Sequence, residues 1–568
     1  GGRRNNNNDS AEQGMGALAT QPATALEAFL RQEALRPSTS YLVQPLPDGS
    51  IQRLTWAEVG EQARRAAGYL ASLQLPAGSC IGLLAPNCAH WIVADLAIWM
   101  AGHVSVPLHP GLTVDFISQV ARHADLSAVF LGRLEGWPAQ SAGLPDELVR
   151  LALPQGPEEA GVLPWSELQQ HSPLEPHKPA ADQSATIIYT SGTTGVPKGV
   201  VLSFASMYLA ASNFLRLFTI SASDRMLSCQ SFSHIGERQF IEMTSLLGGQ
   251  QVFFVERAAS FLEDCRRARP TLFIASPRVW QDCMDACDRR WPARWQGALL
   301  RLPVLGPRQG RRVLAYLGLD QVRYAVSGAA RLSPALQRRF AEFGLQVVEA
   351  YGMTENCGYS HLGRPSKTRP GFIGLPNPGV ECRLGEQGEL LVRSKTLMLG
   401  YHKDPARTAE VLDEDGFLHT GDAAEIDQEG FLRLTGRLRD TFKTSQGRYV
   451  IPAPIEQRLM DDALIEEACV VGQDLPQPLA LVRLASGLSA DKITRDRLQT
   501  LFESVNETLP VAERLGCLVI VQSAWDIAGG FRTPTLKLRR NVVEATYHRH
   551  FQYWLVSGKS IVLEESDP

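Results

Sequence analysis

Apolar positions in the first quarter of the chain alternate between helical spacing and short continuous runs. From Thr24 onward, ALEAFLRQEAL and TWAEVGEQARRAAGYLASLQL show helical spacing, and IGLLAPN, HWIVADLAIWMAGH and VSVPLHP predict strand, helix and strand in that order. SAVFLG, which ends just before Arg133, predicts a further strand. Strands that alternate with helices in this way are typical of a doubly wound parallel sheet.

The same alternation returns from about residue 185 to 350, where the strand candidates are ATIIYT, QVFFVE, TLFIAS and VRYAVSG. Residues 134–183 are rich in Pro, Gly and Glu and predict mainly a surface connection. From 350 to 435, Gly-rich turns separate short alternating runs, which favours a small antiparallel or barrel-like unit. We therefore expect an α/β fold, with a large N-terminal domain of doubly wound sheets plus a small barrel-like unit, followed by a small α+β C-terminal domain.

Composition narrows the function classes. The 568 residues carry 56 Lys and Arg against 60 Asp and Glu, a net charge of −4, which is too balanced for a protein that holds nucleic acid through one global basic field. Ten cysteines without a CxxC pair are typical of a reducing compartment, so we expect a cytoplasmic protein. No apolar run reaches the about 18 residues of a spanning helix, and residues 1–23 lack a signal-peptide pattern and predict a flexible tail.

The segment YTSGTTGVPKGV, residues 189–200, concentrates glycines, hydroxyl groups and one of only nine lysines. Glycine lets backbone N–H groups approach an anion closely, the hydroxyls add donors, and Lys198 adds a point charge. The segment follows an apolar run and precedes the helix-like stretch LSFASMYLAASNFLRLF. The segment predicts a polyphosphate-binding loop formed by Thr190, Ser191, Gly192, Thr193, Thr194, Gly195 and Lys198. It is not a Walker A loop, because Val196 and Pro197 separate Gly195 from the lysine.

YTSGTTGVPKGV resembles the phosphate loop of the adenylate-forming, or AMP-binding, superfamily, which includes acyl-CoA synthetases, the adenylation domains of peptide synthetases and luciferases. Two later segments resemble the parts of that family that surround the adenine, SGAA with Gly328 and Ala329, and EAYGMTE with Glu349, Ala350, Tyr351, Gly352, Met353, Thr354 and Glu355. The resemblance implies that the aromatic ring stacks on the base, that the threonine meets the phosphates, and that Glu355 with Thr190 holds Mg²⁺. These roles suit the residue types, since hard cations prefer carboxylate oxygens.

Further motifs follow in the order of the same family. HTGD resembles the ribose motif, in which Asp422 accepts both hydroxyls, and GRLRD resembles the hinge entry, with Arg437 near the ribose and Arg439 at the pivot where relatives usually carry Lys or Asp. FKTSQGRYV resembles the loop of the thioester step and implies CoA-binding roles for Lys443, Gly447 and Tyr449, although relatives commonly show Glu or Asp in place of Arg448. TPTLKL resembles the catalytic-lysine motif and implies that Lys537 bridges the carboxylate and the α-phosphate.

The segment FSHIGER stands where long-chain fatty acyl-CoA synthetases show a His-x-x-Glu-Arg signature. Amino-acid-activating relatives place an Asp beside the aromatic there, whereas this chain has Ser233, so an acid with an apolar body is favoured. We expect His234, Ile235 and Gly236 at the carboxylate end of the acyl pocket.

The resemblance implies a two-step ligase of the long-chain fatty acid–CoA type, with fatty acid, ATP and CoA as small-molecule partners and Mg²⁺ as cofactor. Its catalytic residues would be Lys198, His234, Glu355, Lys443 and Lys537. The implied domains are 24–436 and a mobile C-terminal domain, 437–568, that turns about Arg439. Three alternatives remain open: an aryl- or medium-chain acyl-CoA ligase, an acyl-AMP ligase that loads a carrier protein, and a nucleotide-binding protein without turnover.

The segment 289–312 holds seven arginines, two tryptophans and no acidic residue. A basic, aromatic segment can rest on an anionic membrane, which is consistent with a peripheral location at the inner membrane surface. A solvated basic face, or a site for the 3′-phosphate of CoA, is the alternative interpretation.

Overall fold

The computed structural model describes residues 23–191, 197–291, 300, 305–369, 371–533 and 537–564. All but one residue of the predicted tail, 1–23, therefore lies outside the described residues. In chain order the strands of the N-terminal part are β1 (Ser40–Pro45), β2 (Ile51–Thr55), β3 (Cys80–Leu84), β4 (Val104–Leu108), β5 (Ala128–Leu131), β6 (Val149–Ala152), β7 (Val162–Leu163), β8 (Ser184–Ser191), β9 (Pro197–Ser203), β10 (Arg225–Ser228), β11 (Gln251–Phe254), β12 (Leu272–Ala275), β13 (Tyr324–Ser327), β14 (Val347–Tyr351), β15 (His361–Leu362) and β16 (Leu375–Pro376).

The remaining strands are β17 (Glu381–Leu384), β18 (Glu389–Arg393), β19 (Gly400–Tyr401), β20 (Leu418–Ile426), β21 (Leu432–Arg437), β22 (Phe442–Lys443), β23 (Tyr449–Val450), β24 (Ile465–Val471), β25 (Leu479–Leu484), β26 (Leu518–Ile520) and β27 (Ile561–Leu563). The α-helices in the described residues are Ala25–Leu35, Trp56–Ser72, Ala89–Met100, Val114–His123, Trp137–Ser141, Trp165–Leu168, Phe204–Leu217, Ile235–Glu237, Thr244–Gly248, Phe261–Ala268, Pro277–Arg290, Leu305–Leu317, Pro334–Glu342, Pro405–Val411, Pro452–Met460, Lys492–Thr508 and Arg540–Val556. A π-helical turn spans Arg238–Met243.

Two large sheets form the N-terminal part. One has eight strands in the order β19-β9-β8-β4-β3-β5-β6-β7, and the other has nine in the order β16-β15-β14-β13-β12-β10-β11-β1-β2. Their central strands pair in parallel, and antiparallel pairs occur at the edges, as between β1 and β2 or β14 and β15. The predicted doubly wound sheets are therefore confirmed.

The strand and helix patterns read from the first quarter of the chain are confirmed by β3, β4, β5 and the helices between them. Local chemistry explains the first two helix starts, because Thr24 and Thr55 each form a capping box with a glutamate three residues later. The helix Ala89–Met100 is apolar on all sides, and all of its residues are buried. Such a helix belongs to the interior of a large domain.

One expectation about local structure is wrong. Residues 134–183 do not form mainly a surface connection, because β6 and β7 extend the eight-stranded sheet there. These strands are too short to stand out between Pro- and Gly-rich turns. The helix expected after the phosphate motif is confirmed, because the Ser203 hydroxyl caps a helix that begins at Phe204. The end of the motif itself belongs to β9, which pairs antiparallel with β8.

The small antiparallel unit is a four-stranded sheet in the order β17-β18-β20-β21. Strand β19, which lies between β18 and β20 in the chain, leaves this sheet and pairs with β9 at the edge of the eight-stranded sheet. The C-terminal part contains the β22–β23 hairpin and a mixed sheet in the order β24-β25-β26-β27, with apolar cores on its two faces. None of the described helices has the length and apolar character needed to cross a membrane.

One buried cation joins three elements of the N-terminal core. The guanidinium of Arg238 lies 2.8 Å from Asp95, 2.7 Å from Glu242, and within hydrogen-bond distance of Thr186 on β8. Its centre is also 5.0 Å from the ring of Trp91, and all of these groups are buried. Burial raises the pKa of Glu242, and the charge of Arg238 opposes that rise. Removing the cation would leave two carboxylates buried without their partner.

We expect Arg238→Leu to lower the free energy of unfolding by about 3–5 kcal/mol, because it leaves Asp95 and Glu242 buried and unpaired. Urea unfolding, monitored by tryptophan fluorescence, measures the loss. The matched control is Arg433→Leu, which breaks an exposed ion pair with Glu425 and should change stability by less than about 1 kcal/mol. A loss below about 1 kcal/mol in Arg238→Leu would contradict the proposed dependence on this cation.

The deficit of Arg238→Leu should grow as the pH rises from 5 to 8. In the variant, burial keeps the folded-state pKa of Glu242 raised, and the opposing charge of Arg238 is gone. The folded state then holds protons that the unfolded state releases, so stability falls with rising pH. Repeating the urea titrations across this range checks the sign.

Candidate active site

The phosphate motif occupies the β8–β9 hairpin. Its register pairs Thr190 with Lys198 across the hairpin, which places both ends of the loop side by side. Of the predicted loop, Gly192, Thr193, Thr194 and Gly195 lie outside the described residues, and so does the side chain of Ser191.

Lys198 points over the ring of Tyr401 on β19, with 5.2 Å between its ammonium and the ring centroid. Burial lowers the pKa of Lys198, and the negative charge of Glu355 opposes that shift.

Glu355 is buried in a short 3-10 turn, Thr354–Asn356. Its Oε1 accepts a 2.8 Å hydrogen bond from the hydroxyl of Tyr401, and its backbone carbonyl accepts one from the Met398 N–H. Tyr401 therefore touches both Glu355 and Lys198. This tyrosine was not among the predicted site residues, since a Gly-Tyr pair after an irregular run carries no signal of its own.

Asp422 is the second buried carboxylate of the site. The register of β20 and β21 pairs it directly with Arg437, whose Nε lies 3.0 Å from its Oδ1. The hydroxyl of Tyr351 donates a 2.6 Å hydrogen bond to its Oδ2. Burial and this carboxylate raise the pKa of Tyr351 well above its usual value. The sheet register and a side-chain hydrogen bond from another sheet thus bring together three residues that the sequence assigned to the ribose and the adenine.

The two predicted adenine segments run side by side because β13 pairs with β14. Gly328 and Ala329 follow β13, and Ala329 has a φ of +71°, a conformation that non-glycine residues rarely adopt and that is found at functional sites. Glu349 accepts a 3.0 Å hydrogen bond from the Leu332 N–H and so holds the loop after β13.

Next in the chain come Ala350 and Tyr351, and then the turn that leads to Thr354 and Glu355. A Cβ on Gly352 would lie 2.4 Å from the backbone of Gly358, so the chain crosses itself there and only glycine fits. Met353 begins the 3-10 turn and accepts the N–H of Gly358.

Lys537 belongs to the C-terminal lobe, yet its ammonium lies among charges of the N-terminal site. Burial and the charge of Arg437 lower its pKa, while the charges of Asp422 and Glu355 oppose the shift. Locally, its N–H donates to the Thr533 hydroxyl at 3.1 Å. The residue borders solvent at the edge of a cleft, and protein atoms crowd its ammonium closely enough to make the cation less favourable.

His234 lies close to this lysine. Burial, the charge of Lys537 and the neighbouring His109 lower the pKa of His234 to about 4, so its ring is neutral near pH 7. Its Nδ1 accepts a 3.1 Å hydrogen bond from the N–H of Gly236, and Ile235 is buried beside the Gly358 crossing. The three residues predicted for the carboxylate end of the acyl pocket therefore lie in one turn near Lys537.

The predicted CoA residues form a separate group on the β22–β23 hairpin. Lys443 lies 5.6 Å from the ring of Tyr449, which is exposed, and Gly447 makes the turn with a φ of +78°. Within the described part of the chain, this hairpin forms no hydrogen bond or ion pair with Lys198, Glu355 or Asp422. Arg439, which the sequence predicts as the hinge residue, in contrast lies near the β8–β9 hairpin, where its charge contributes to the lowered pKa of Lys198.

Comparison with known proteins identifies relatives of this chain. A family model described as AMP-binding enzyme matches residues 29–402, and the model of the AMP-binding enzyme C-terminal domain matches 439–552. The chain is 31% identical to the peroxisomal long chain acyl-CoA synthetase 6 of Arabidopsis thaliana, over 87% of this chain and 80% of that protein. It is 28% identical to the long-chain-fatty-acid–CoA ligase FadD15 of Mycobacterium bovis, over 89% of this chain and 93% of that protein.

A solved structure shares the fold. The anthranilate CoA ligase AuaEII in complex with anthranoyl-AMP superposes with a TM-score of 0.76 at 21% identity, over 92% of this chain and 97% of that chain.

We expect Lys537→Met to raise the pKa of His234 from about 4 toward its usual 6.5, because the variant removes a neighbouring positive charge while burial of the ring remains. Histidine titration by NMR, with His234→Gln to assign the signal, measures the change. Lys559→Met, at an exposed lysine of the same lobe, is the control and should leave the pKa unchanged. An unchanged value in Lys537→Met would place the lysine away from His234.

Proposed function

Because the chain belongs to the AMP-binding enzyme family, we propose that it is an ATP-dependent acyl-CoA synthetase that activates a fatty carboxylic acid, with a long chain, through an acyl-adenylate and transfers it to CoA. AMP and pyrophosphate leave. The observation that carries this proposal is the convergence of Lys198, Glu355, Asp422 and Lys537 from distant segments on one cleft, in a chain whose relatives are named long-chain acyl-CoA synthetases.

In the first step the acid's carboxylate oxygen attacks the α-phosphorus of ATP, and the bond to the pyrophosphate oxygen breaks. The protein contributes alignment and charge neutralisation. Lys198 and the hairpin hold the phosphates, and Asp422 accepts the ribose hydroxyls. The ammonium of Lys537 bridges the carboxylate and the α-phosphate, where negative charge develops. The neutral ring of His234 lies at the carboxylate and adds no competing charge there.

In the second step the thiol of CoA attacks the acyl carbon, and the bond to AMP breaks. We propose that the C-terminal lobe, residues 437–568, turns about Arg439 between the steps. The turn withdraws Lys537 and brings the loop with Lys443, Gly447 and Tyr449 toward the thiol. The present arrangement supports such a movement, because Lys537 lies near Asp422 and Glu355 whereas the loop forms no hydrogen bond or ion pair with them among the described residues.

The donor set fits Mg²⁺ held jointly with the substrate. Among the described residues, no group of three or more His, Cys, Asp or Glu side chains could hold a metal by itself. Glu355 supplies one carboxylate and Thr190 one hydroxyl, which suits an ion that takes its other ligands from phosphates and water. When bound, the ion would neutralise phosphate charge. Glu355 is held ready for it by the Tyr401 hydroxyl.

The acid class follows from the turn that carries His234. Ser233 stands beside the buried Phe232, so no carboxylate is present there to hold an α-amine. This supports an acid whose body, apart from the reacting carboxylate, is uncharged and apolar. An aryl or medium-chain acid, or transfer to a carrier protein, would use the same adenylation residues, and a protein that only binds nucleotide would show no acid-dependent turnover.

We also propose a cytoplasmic location with peripheral contact at the inner membrane surface. All ten cysteines are free, as a reducing compartment requires. Of the segment 289–312, the described residues are 289–291, 300 and 305–312, in which Arg289, Arg290, Arg308, Arg311 and Arg312 are exposed. Exposed arginines suit an anionic lipid surface.

An acid panel tests the function. With ATP, Mg²⁺ and CoA, we expect pyrophosphate release to depend on added acid and to favour palmitate over decanoate and benzoate, because the relatives of this chain are named long-chain acyl-CoA synthetases. Coupled pyrophosphate detection and mass spectrometry of the thioester provide the measurements. Preference for benzoate would favour the aryl alternative, turnover only with a phosphopantetheinylated carrier would favour carrier loading, and absence of acid-dependent release would refute the proposal.

A second experiment tests whether Lys537 acts in adenylate formation and not in thioester formation. We expect Lys537→Ala to slow acyl-adenylate formation by about a hundredfold or more, as loss of one charge-stabilising donor does, while thioester formation from added acyl-AMP and CoA persists. Rapid-quench assays of each half-reaction measure this. Thermal unfolding serves as the control for folding. Equal loss of both half-reactions in a folded variant would contradict the assignment of Lys537 to the first step.

A further inference from the structure

The segment Cys229–Phe232, here called the 229–232 loop, is held by a buried carboxylate with no counterpart in the mechanism above. Glu237 is 2% exposed, and its Oε1 accepts hydrogen bonds from the hydroxyl of Ser228 at 2.8 Å, the N–H of Cys229 at 3.1 Å and the N–H of Gln230 at 3.3 Å. One oxygen atom therefore satisfies three donors at the beginning of the loop.

Asn87 holds the same loop from the other side. It follows β3, and its Oδ1 accepts the N–H of Phe232 at 2.9 Å. Its Nδ2 donates to the Ser228 hydroxyl at 2.7 Å and also contacts the Gln230 carbonyl and Glu237. The last loop residue, Phe232, is fully buried against Trp91. Both ends of the loop are thus anchored to groups outside it.

Burial of the Glu237 carboxyl group costs desolvation free energy. Burial raises its pKa to about 8, and the hydrogen bonds from the loop oppose that rise. The cation next to it in sequence, Arg238, is engaged by Asp95 and Glu242 instead. A buried acid without a neighbouring cation contributes little to stability. We therefore interpret the hydrogen bonds of Glu237 as fixing the position of the 229–232 loop.

The 229–232 loop connects a cavity with the turn that carries His234. On one side, Ser228, Cys229, Gln230 and Ser231 line a cavity of about 730 Å³, together with Asn87. On the other side, the chain continues within two residues to His234, whose pKa responds to the charge of Lys537. The cavity lies at the carboxyl ends of β3, β10 and β11, where α/β sheets bind ligands. The loop therefore lines a ligand-sized space and leads directly into the turn that carries His234.

We propose that Glu237 and Asn87 are positioning residues, which hold the 229–232 loop and thereby set where His234 meets the acid's carboxylate beside Lys537. The inference rests on the proposed function. Neither residue contacts Lys198, Glu355 or Asp422 in the described part of the chain. Loosening the loop therefore disturbs the acid and leaves the nucleotide site intact.

The test compares Glu237→Leu with Glu237→Gln in adenylation assays with palmitate. The Gln side chain keeps the accepting oxygen, whereas the Leu side chain removes it. We expect Glu237→Leu to raise the KM for palmitate by about tenfold or more, since small misplacements near a reacting group have large effects, with AMP affinity within about twofold of wild type. Glu237→Gln should restore the KM to within about threefold of wild type.

Two further variants separate positioning from general destabilisation. Asn87→Ala removes the second anchor without touching the buried carboxylate, and we expect the same selective rise in KM if Glu237→Leu does not fold. Asp264→Leu is the matched control. Asp264 is also a buried carboxylate, and its Oδ2 accepts the hydroxyl of Ser260 at 2.7 Å and, at 3.0 Å, the N–H of Glu256, which lines another wall of the same cavity. Unlike Glu237, it also pairs with a cation, Arg267. It should lower the melting temperature without raising the KM for palmitate.

Three results would overturn the inference: an unchanged KM in folded Glu237→Leu and Asn87→Ala, an equal rise in Asp264→Leu, or no rescue by Glu237→Gln. Wild-type protein without acid-dependent pyrophosphate release would refute the proposed function instead. In that case the NMR signal of the His234 ring decides the inference. It should shift in Glu237→Leu and Asn87→Ala but not in Asp264→Leu, and the absence of a shift would overturn it.

Discussion

One buried guanidinium connects the elements that carry the proposed nucleotide site and the proposed acid site. Arg238 contacts Asp95 on the buried helix, Thr186 on β8 and Glu242 in its own π-helical turn. Strand β8 continues into the phosphate hairpin, and the π-helical turn continues the segment that carries His234. The elements that lead to the proposed nucleotide site and to the proposed acid site therefore both contact the same cation. In the protein interior, charge interactions are strong and unpaired polar groups are costly.

The two buried carboxylates of the cleft are oriented in the same way. Each of its two buried carboxylates, Glu355 and Asp422, receives a hydrogen bond from a tyrosine that comes from another element. The donors, Tyr401 and Tyr351, fix the orientation of the acids before any ligand arrives. Preorganised groups of this kind cost no rearrangement at the moment of reaction, which is how charge stabilisation becomes effective in catalysis. The crossing of Gly352 and Gly358 keeps the turn that carries Glu355 in place.

The sequence predicted the fold, and which distant residues lie together, better than the local connections. The parallel strands were predictable because fully buried strands leave continuous apolar runs, as in ATIIYT and QVFFVE. Lys198, Asp422 and Lys537 were predictable because each lies in a motif with a rare combination of residues. Tyr401 was not, because its role arises from the pairing of β19 with β9, a contact between distant segments that no local pattern records. Strands β6 and β7 were missed for the opposite reason, since their few apolar residues are outweighed by the turns around them.

The origin of Lys537 in the C-terminal lobe has a thermodynamic consequence. Its ammonium interacts with Asp422 and Glu355, so in the lobe movement proposed above the energy of the docked position includes the charge around this lysine. A ligand that adds negative charge there favours docking, and docking must strengthen the binding of that ligand by the same factor, because such coupling is reciprocal. When pyrophosphate departs and carries charge away, this coupling weakens. Undocking of the lobe then follows from the reaction's own change in charge and needs no separate signal.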